Sequence, residues 1–175
     1  TLIDFRRLFL ELVRHAYQQQ VEMGELVERE FILMSLIESL EWAAEAVERG
    51  EPLSDWDYIF IVDFPDFELG RFVRGKVTDR PIYKCLFEPC LGPTMPHMEL
   101  DTVLARLTVE KCMAFMRAHT LAQERMKSEF CDNIDLKTAE ETILAESESM
   151  VAKAEEHILG FPEEELKLIM SHKMS

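Results

Sequence analysis

The stretch PHMELDTVLARLTVEKCMAFMRAHTLAQERMKSEF, residues 96–130, decides the fold. Leu100, Leu104, Leu107, Lys111, Phe115, Ala118, Ala122, Met126 and Phe130 recur at intervals of three and four, so on a helix they trace one stripe. At ~1.5 Å per residue this helix spans roughly 50 Å. Phe115 stands mid-stripe and is read as a structural anchor.

The same spacing extends in both directions. Leu2 to Met23 reads as a helix with Phe5, Phe9, Leu12, Ala16 and Gln20 on one face. Leu8, Val13 and Tyr17 widen that face, Tyr17 as a second anchor, and Gly24 is the stop. Glu25 to Arg49 reads as a second helix with a broad apolar face that includes Phe31, Met34, Leu36, Ile37, Leu40 and Val47. Gly50 and Pro52 end it, and the short connection makes the two helices antiparallel neighbours. Ser54 is placed to cap a short helix from Asp55 toward Val62, with Trp56 anchoring the turn. Tyr58 to Val62 is the one stretch with any strand character, and its flanks favour helix.

Residues 63–96 hold Pro65, Gly70, Gly75, Pro81, Pro89, Gly92, Pro93 and Pro96 among several aromatics, which reads as an irregular packed connection. Beyond Phe130, Asp135 or Thr138 opens a further helix, and Thr138 with Glu141 fits a capping box. Its stripe is Leu136, Ala139, Ile143, Met150, Val151, Ala154 and Ile158. Gly160 ends it, and Pro162 starts a last helix through Leu166 and Ile169. The expectation is all-α: a helical bundle of about five to seven helices with an irregular central connection. Residues 1–62 form an N-terminal hairpin plus short helix, 63–96 the connection, and 97–175 the long helix and C-terminal helices. Together they make one cooperative domain, a fragment of a longer chain.

The chain carries 34 acidic and 19 basic side chains, a formal charge of -15. That balance argues against nucleic acid and against a basic face resting on anionic lipid. It keeps the chain soluble, and its sharper reading is an acidic face that meets a basic partner. No stretch approaches the ~18 apolar residues of a membrane span. Cys85, Cys90, Cys112 and Cys131 are widely spaced, so disulfides are disfavoured and a reducing compartment fits.

Templates for chemistry fail on spacing. There is no Gly-rich phosphate loop and no Gly-x-Ser-x-Gly elbow. A zinc site from Cys85, Cys90 and His97 lacks a second ligand pair. A di-iron bundle needs Glu three residues before His, and none of His15, His97, His119, His157 or His172 has one. The expectation is therefore no catalytic residue, no cofactor and no metal. His119 lies one residue past the Phe115–Ala118–Ala122 stripe, half-buried, as a packed histidine bonded to a carboxylate or carbonyl. Its sharper reading is a proton sensor, and His15, beside Leu12 and Ala16, is read the same way. Met34, Met113, Met116, Met126 and Met150 are gap fillers in the core. Glu146-Ser147-Glu148-Ser149 reads as a solvated face.

Several segments, in order, resemble one family. Phe9-Leu10-Glu11-Leu12-Val13-Arg14-His15-Ala16-Tyr17 with Glu22-Met23-Gly24-Glu25-Leu26 is similar to the first cytoplasmic helix of plant-type plasma-membrane sodium/proton antiporters of the salt-overly-sensitive class. Glu51-Pro52-Leu53-Ser54-Asp55-Trp56 resembles the turn that follows it there. Leu107-Thr108-Val109-Glu110-Lys111 and Ala114-Phe115-Met116-Arg117-Ala118-His119 resemble the family's long helix. Glu146-Ser147-Glu148, Ala152-Lys153-Ala154 and Phe161-Pro162 resemble the segment after that. The resemblance is collinear from about Phe5 to Lys173, with Phe67 to Pro96 outside it. It implies a helical region at the cytoplasmic face of the plasma membrane, between a membrane domain and a cyclic-nucleotide-binding-like domain. The implied role is regulation and coupling, with a homodimer as a further expectation and no transport residue in this segment. Within that role, His15 and His119 are the candidate pH-responsive positions. The alternative is a free-standing acidic helical adaptor that binds a basic partner.

Overall fold

The computed structural model describes residues 1–26, 30–60, 100–130, 134–164 and 166–167, and every regular element among them is helical. Five helices follow in chain order: α1 Leu2–Glu22, α2 Glu30–Glu48, α3 Asp55–Tyr58, α4 Leu100–Phe130 and α5 Ile134–Leu159. The described residues form an all-α bundle, and none of their helices is long and apolar enough to cross a membrane. The connection over 63–96, with Cys85 and Cys90, lies outside the described residues, as do His97, Cys131 and Ile169. Glu163, Glu164, Leu166 and Lys167 are helical after Pro162.

α1 and α2 end alike. Glu25 N donates to the Gln20 carbonyl at 2.9 Å and Gly24 N to Val21 at 3.0 Å. Glu51 N donates to Ala46 at 3.1 Å and Gly50 N to Val47 at 2.9 Å. These paired closures need a left-handed residue at the first position past the cap, and glycine takes φ 77° at Gly24 and 85° at Gly50. Glu25 belongs to the closing turn of α1, and the second helix is described from Glu30 rather than from Glu25 as the periodicity predicts.

Two predicted caps are not made. Ser54 sits at the N-cap of α3 but its hydroxyl makes no capping bond. Thr138 lies inside α5, which already starts at Ile134, and its carbonyl accepts from Thr142 Oγ1 at 2.8 Å. A cap that does form is at Thr1, where the hydroxyl and the Asp4 side chain close a capping box on α1.

Cross-links between Arg7 and Glu48, and between Arg14 and Glu41, pair early α1 with late α2, so the two run antiparallel. α4 is the shared wall of the bundle, packed most extensively against α1 and α5. One core joins Phe9, Val13 and Tyr17 of α1 to Ile32, Leu36 and Leu40 of α2, Phe115 and Met126 of α4, and Ile143 and Met150 of α5. Met34 does not fill the core as its spacing suggests: it is 59 % exposed. The reason is the breadth of the apolar face of α2, which exceeds what its neighbours cover.

Candidate functional site

The bundle's core is interrupted by polar side chains at one level. α3 is a single turn held between α2 and α5, and it presents Asp55 inward. α4 presents His119 and α5 presents Ser147 at the same level, and all three are 0 % exposed. His119 Nε2 lies 2.8 Å from Asp55 Oδ2, and His119 Nδ1 lies 2.8 Å from Ser147 Oγ. Gln123 Nε2 donates to the same Ser147 oxygen at 2.9 Å.

The donor–acceptor inventory fixes a direction for this chain. The Asp55 carboxylate only accepts, so a singly protonated ring keeps its hydrogen on Nε2; Nδ1 then accepts from Ser147 Oγ, which in turn accepts from Gln123 Nε2. The imidazole then carries its hydrogen on Nε2 and donates it to the Asp55 carboxylate. Doubly protonated, the ring would donate from both nitrogens. Ser147 would then accept twice, and its hydroxyl would have to turn to a new acceptor. A proton at this ring therefore reverses the contact to Ser147 on α5, while the Nε2 contact to Asp55 on α3 keeps its direction.

Aromatic rings seal the cluster. Phe115 stacks on His119 with centroids 4.1 Å apart, and Phe9 lies tilted at 5.6 Å. Trp56 packs edge-on to Phe115 at 5.2 Å. Tyr17 is fully buried beneath, and burial followed by the negative charge of Asp55 pushes its phenol well above the ordinary value of 10.0. Its hydroxyl and Asp55 Oδ1 have no hydrogen-bond partner among the described residues. Tyr17, Phe115 and Trp56, the three predicted anchors, thus surround one polar cluster.

A second polar layer stitches α1, the turn before α3, and α5. Arg6 Nε and Nη2 hold the Glu146 carboxylate as a fork at 3.0 and 2.5 Å. Glu146 Oε2 also accepts from Leu53 N at 3.0 Å. Glu146 and Ser147 are therefore not part of a solvated face, and only Glu148 and Ser149 of that run are exposed. Further along, Lys111 is buried with Nζ 3.5 Å from the Ile59 carbonyl, and Gln20 Nε2 donates to the Ala114 carbonyl at 3.0 Å.

The two candidate histidines have different fates. His119 is wholly buried rather than half-buried, because Phe9 and Phe115 close over it. His15 is exposed on the outer side of α1, since Val13, Ala16 and Tyr17 turn the buried face away from it. They are not brought together.

Serine, histidine and aspartate also make up the nucleophile-activating triad of hydrolases, but the wiring here differs. Here the carboxylate is on Nε2 and the hydroxyl on Nδ1, the reverse of that triad, and the serine oxygen has no exposure. The nearby open groove, about 620 Å³, is lined by Trp56, Phe60, Lys153, Glu156, His157, Gly160 and Phe161, none of them a member of the cluster. Among the described residues, no group of three or more His, Cys, Asp or Glu is arranged to hold a metal ion.

The partners Asp55, Ser147, Gln123, Arg6 and Glu146 were not singled out by sequence, yet one signal was present. The stripe of α5 steps from Ile143 to Met150, and Ser147 fills the missing position four residues on from one and three before the other. A polar residue in a gap of an apolar stripe is a buried polar group that must find partners. Compared with known proteins, the chain matches no family model, no curated protein and no solved structure.

Proposed function

We propose that this chain is a cytosolic regulatory and coupling module of a sodium/proton antiporter, with no catalytic residue of its own. The observation that carries the reading is a convergence. The segments that resemble the antiporter family, Phe9–Tyr17, Glu51–Trp56, Ala114–His119 and Glu146–Glu148, each contribute to the polar cluster or the fork beside it.

In this reading His119 is the proton-responsive element. It meets Asp55 from α3 and Ser147 from α5; the Glu146–Arg6 pair joins α5 to α1 one residue from Ser147, and Tyr17 of α1 lies within the field of the Asp55 charge. Protonation reverses the hydrogen bond to Ser147 on α5 and sets a positive charge against Asp55 on α3, which gives the bundle two packing states for one regulatory signal. His15, exposed on α1, is the second candidate and acts at the surface. The partners are the membrane domain and the cyclic-nucleotide-binding-like domain of the same polypeptide, at the cytoplasmic face of the plasma membrane, with a second copy in a homodimer.

The parent transcript provides the test. About a dozen apolar spans encoded upstream of Thr1 support the reading. A start codon close to Thr1 with no such spans overturns it. In the full-length transporter, His119→Gln is expected to shift the pH dependence of sodium-driven proton exchange in vesicles. A profile that superimposes on the wild type removes the sensing role.

A further inference from the structure

α2 carries Glu30, Glu38, Glu41, Glu45 and Glu48 and no lysine or arginine. Its inner side, Ile32, Leu36, Leu40, Ala43 and Val47, is fully buried. Its outer side is neither wholly polar nor covered. Met34 is 59 % exposed and Trp42 is 52 % exposed, although tryptophan is a residue that proteins bury on average. Trp42 is also held in place: its indole stacks on Tyr58 with centroids 6.0 Å apart and planes 29° apart. A large, preordered aromatic face turned to water is a feature of recognition surfaces.

Glutamates surround this apolar surface. Glu38, Glu41 and Glu45 follow Met34 at four, seven and eleven residues, so they share its side of the helix with Trp42 at the margin. Glu41 is only loosely paired, with Arg14 Nη1 at 3.9 Å. Glu38 has no ion-pair partner among the described residues. Glu45 is within the electrostatic reach of Arg49, but that guanidinium donates to Glu51 at 2.7 Å. The negative charge on this face is therefore largely uncompensated, on a chain whose formal charge is -15.

We propose that the Met34–Trp42 face of α2, with Tyr58, is a docking surface for a basic amphipathic peptide segment. The charge pattern selects this occupant. A second copy of the chain would set glutamate against glutamate, and an anionic lipid surface would be repelled in the same way. A helix with large aliphatic side chains flanked by Lys or Arg meets both requirements, covering Met34 and Trp42 while its cations reach Glu38, Glu41 and Glu45. This surface is independent of the antiporter reading, since it rests on α2 and Tyr58 alone.

The test titrates the intact chain into a dye-labelled synthetic amphipathic helix of leucine and lysine, and follows anisotropy at low and moderate salt. Saturable one-to-one binding is expected, weakened at least tenfold by Trp42→Ala and by Glu38→Gln/Glu45→Gln. The variant Glu148→Gln/Glu155→Gln removes the same charge from exposed positions on α5 and is expected to change affinity less than twofold. Circular dichroism confirms that each variant is folded. Equal losses from both glutamate pairs would mean undirected attraction to a polyanion and overturn the proposal. So would absence of saturable binding, or sedimentation showing a dimer that Trp42→Ala dissolves, because the face would then belong to a second copy.

Discussion

Single residues decide how the interior of this bundle is wired. Glu146 is the clearest case, because one carboxylate satisfies the Arg6 fork and the Leu53 amide together. Its side chain is 17 % exposed and that of Arg6 is 9 %, so solvent cannot replace the lost partner. Glu146→Ala is therefore expected to destabilise the fold by about 3 kcal/mol, mostly from an uncompensated buried guanidinium. The Lys153–Asp57 pair, 48 % and 56 % exposed, joins the same helix to α3 at the surface and is a control. Asp57→Ala should cost less than about 1 kcal/mol. Urea denaturation of the two variants checks the contrast, and equal losses would place Glu146 outside the fold's essential contacts.

At the scale of elements, the ends matter as much as the faces. α1 and α2 stop in the same pair of hydrogen bonds because a glycine stands at each left-handed position. At Gly50 an added Cβ would meet nothing within 4 Å, so any cost of substitution is conformational and not steric crowding. Gly50→Ala is expected to lower stability by about 1 kcal/mol, and Gly50→Asn by less, since asparagine tolerates this backbone region. The urea midpoints should rank glycine, asparagine, alanine. The turn matters beyond its own energy: it aims Leu53 at Glu146 and delivers Asp55 to His119. The hydroxyl of Ser54, although of a favoured capping type, is buried without a hydrogen-bond partner among the described residues.

For the molecule as a whole, the buried cluster links stability to pH. Tyr17 has its phenol pushed well above 10.0 in the folded state, against about 10 in an unfolded chain. The folded state keeps a proton that the unfolded state gives up, so unfolding releases protons and stability falls as pH rises above about 10. Below that pH the contribution is fully present. The free energy of unfolding, measured in urea between pH 9 and pH 11, should decline in the wild type and decline less in Tyr17→Phe. At neutral pH the phenylalanine variant should lie within about 1 kcal/mol of wild type, because the hydroxyl it loses has no partner among the described residues. Identical slopes in the two proteins would show that Tyr17 is not the group responsible.

Periodicity by itself determined the helices, the glycine stops after α1 and α2, and the antiparallel hairpin they make. Each of these follows from neighbours within a few residues, through the 3.6-residue turn and the backbone freedom of glycine. The same periodicity placed Tyr17 and Phe115 in the interior and His119 at the edge of a stripe, while the Pro52–Trp56 turn marked Trp56 as an anchor. Which side chains meet His119 was not legible, because Asp55 and Ser147 lie 64 and 28 residues away in sequence. Only the packing of α3 and α5 against α4 brings them within hydrogen-bond reach. Ser147 in a solvated run and Met34 in a core stripe are the two misreadings that make the point. A helical pattern says which residues share a face, but whether that face is covered depends on which helices pack against it, and tertiary structure alone decides that.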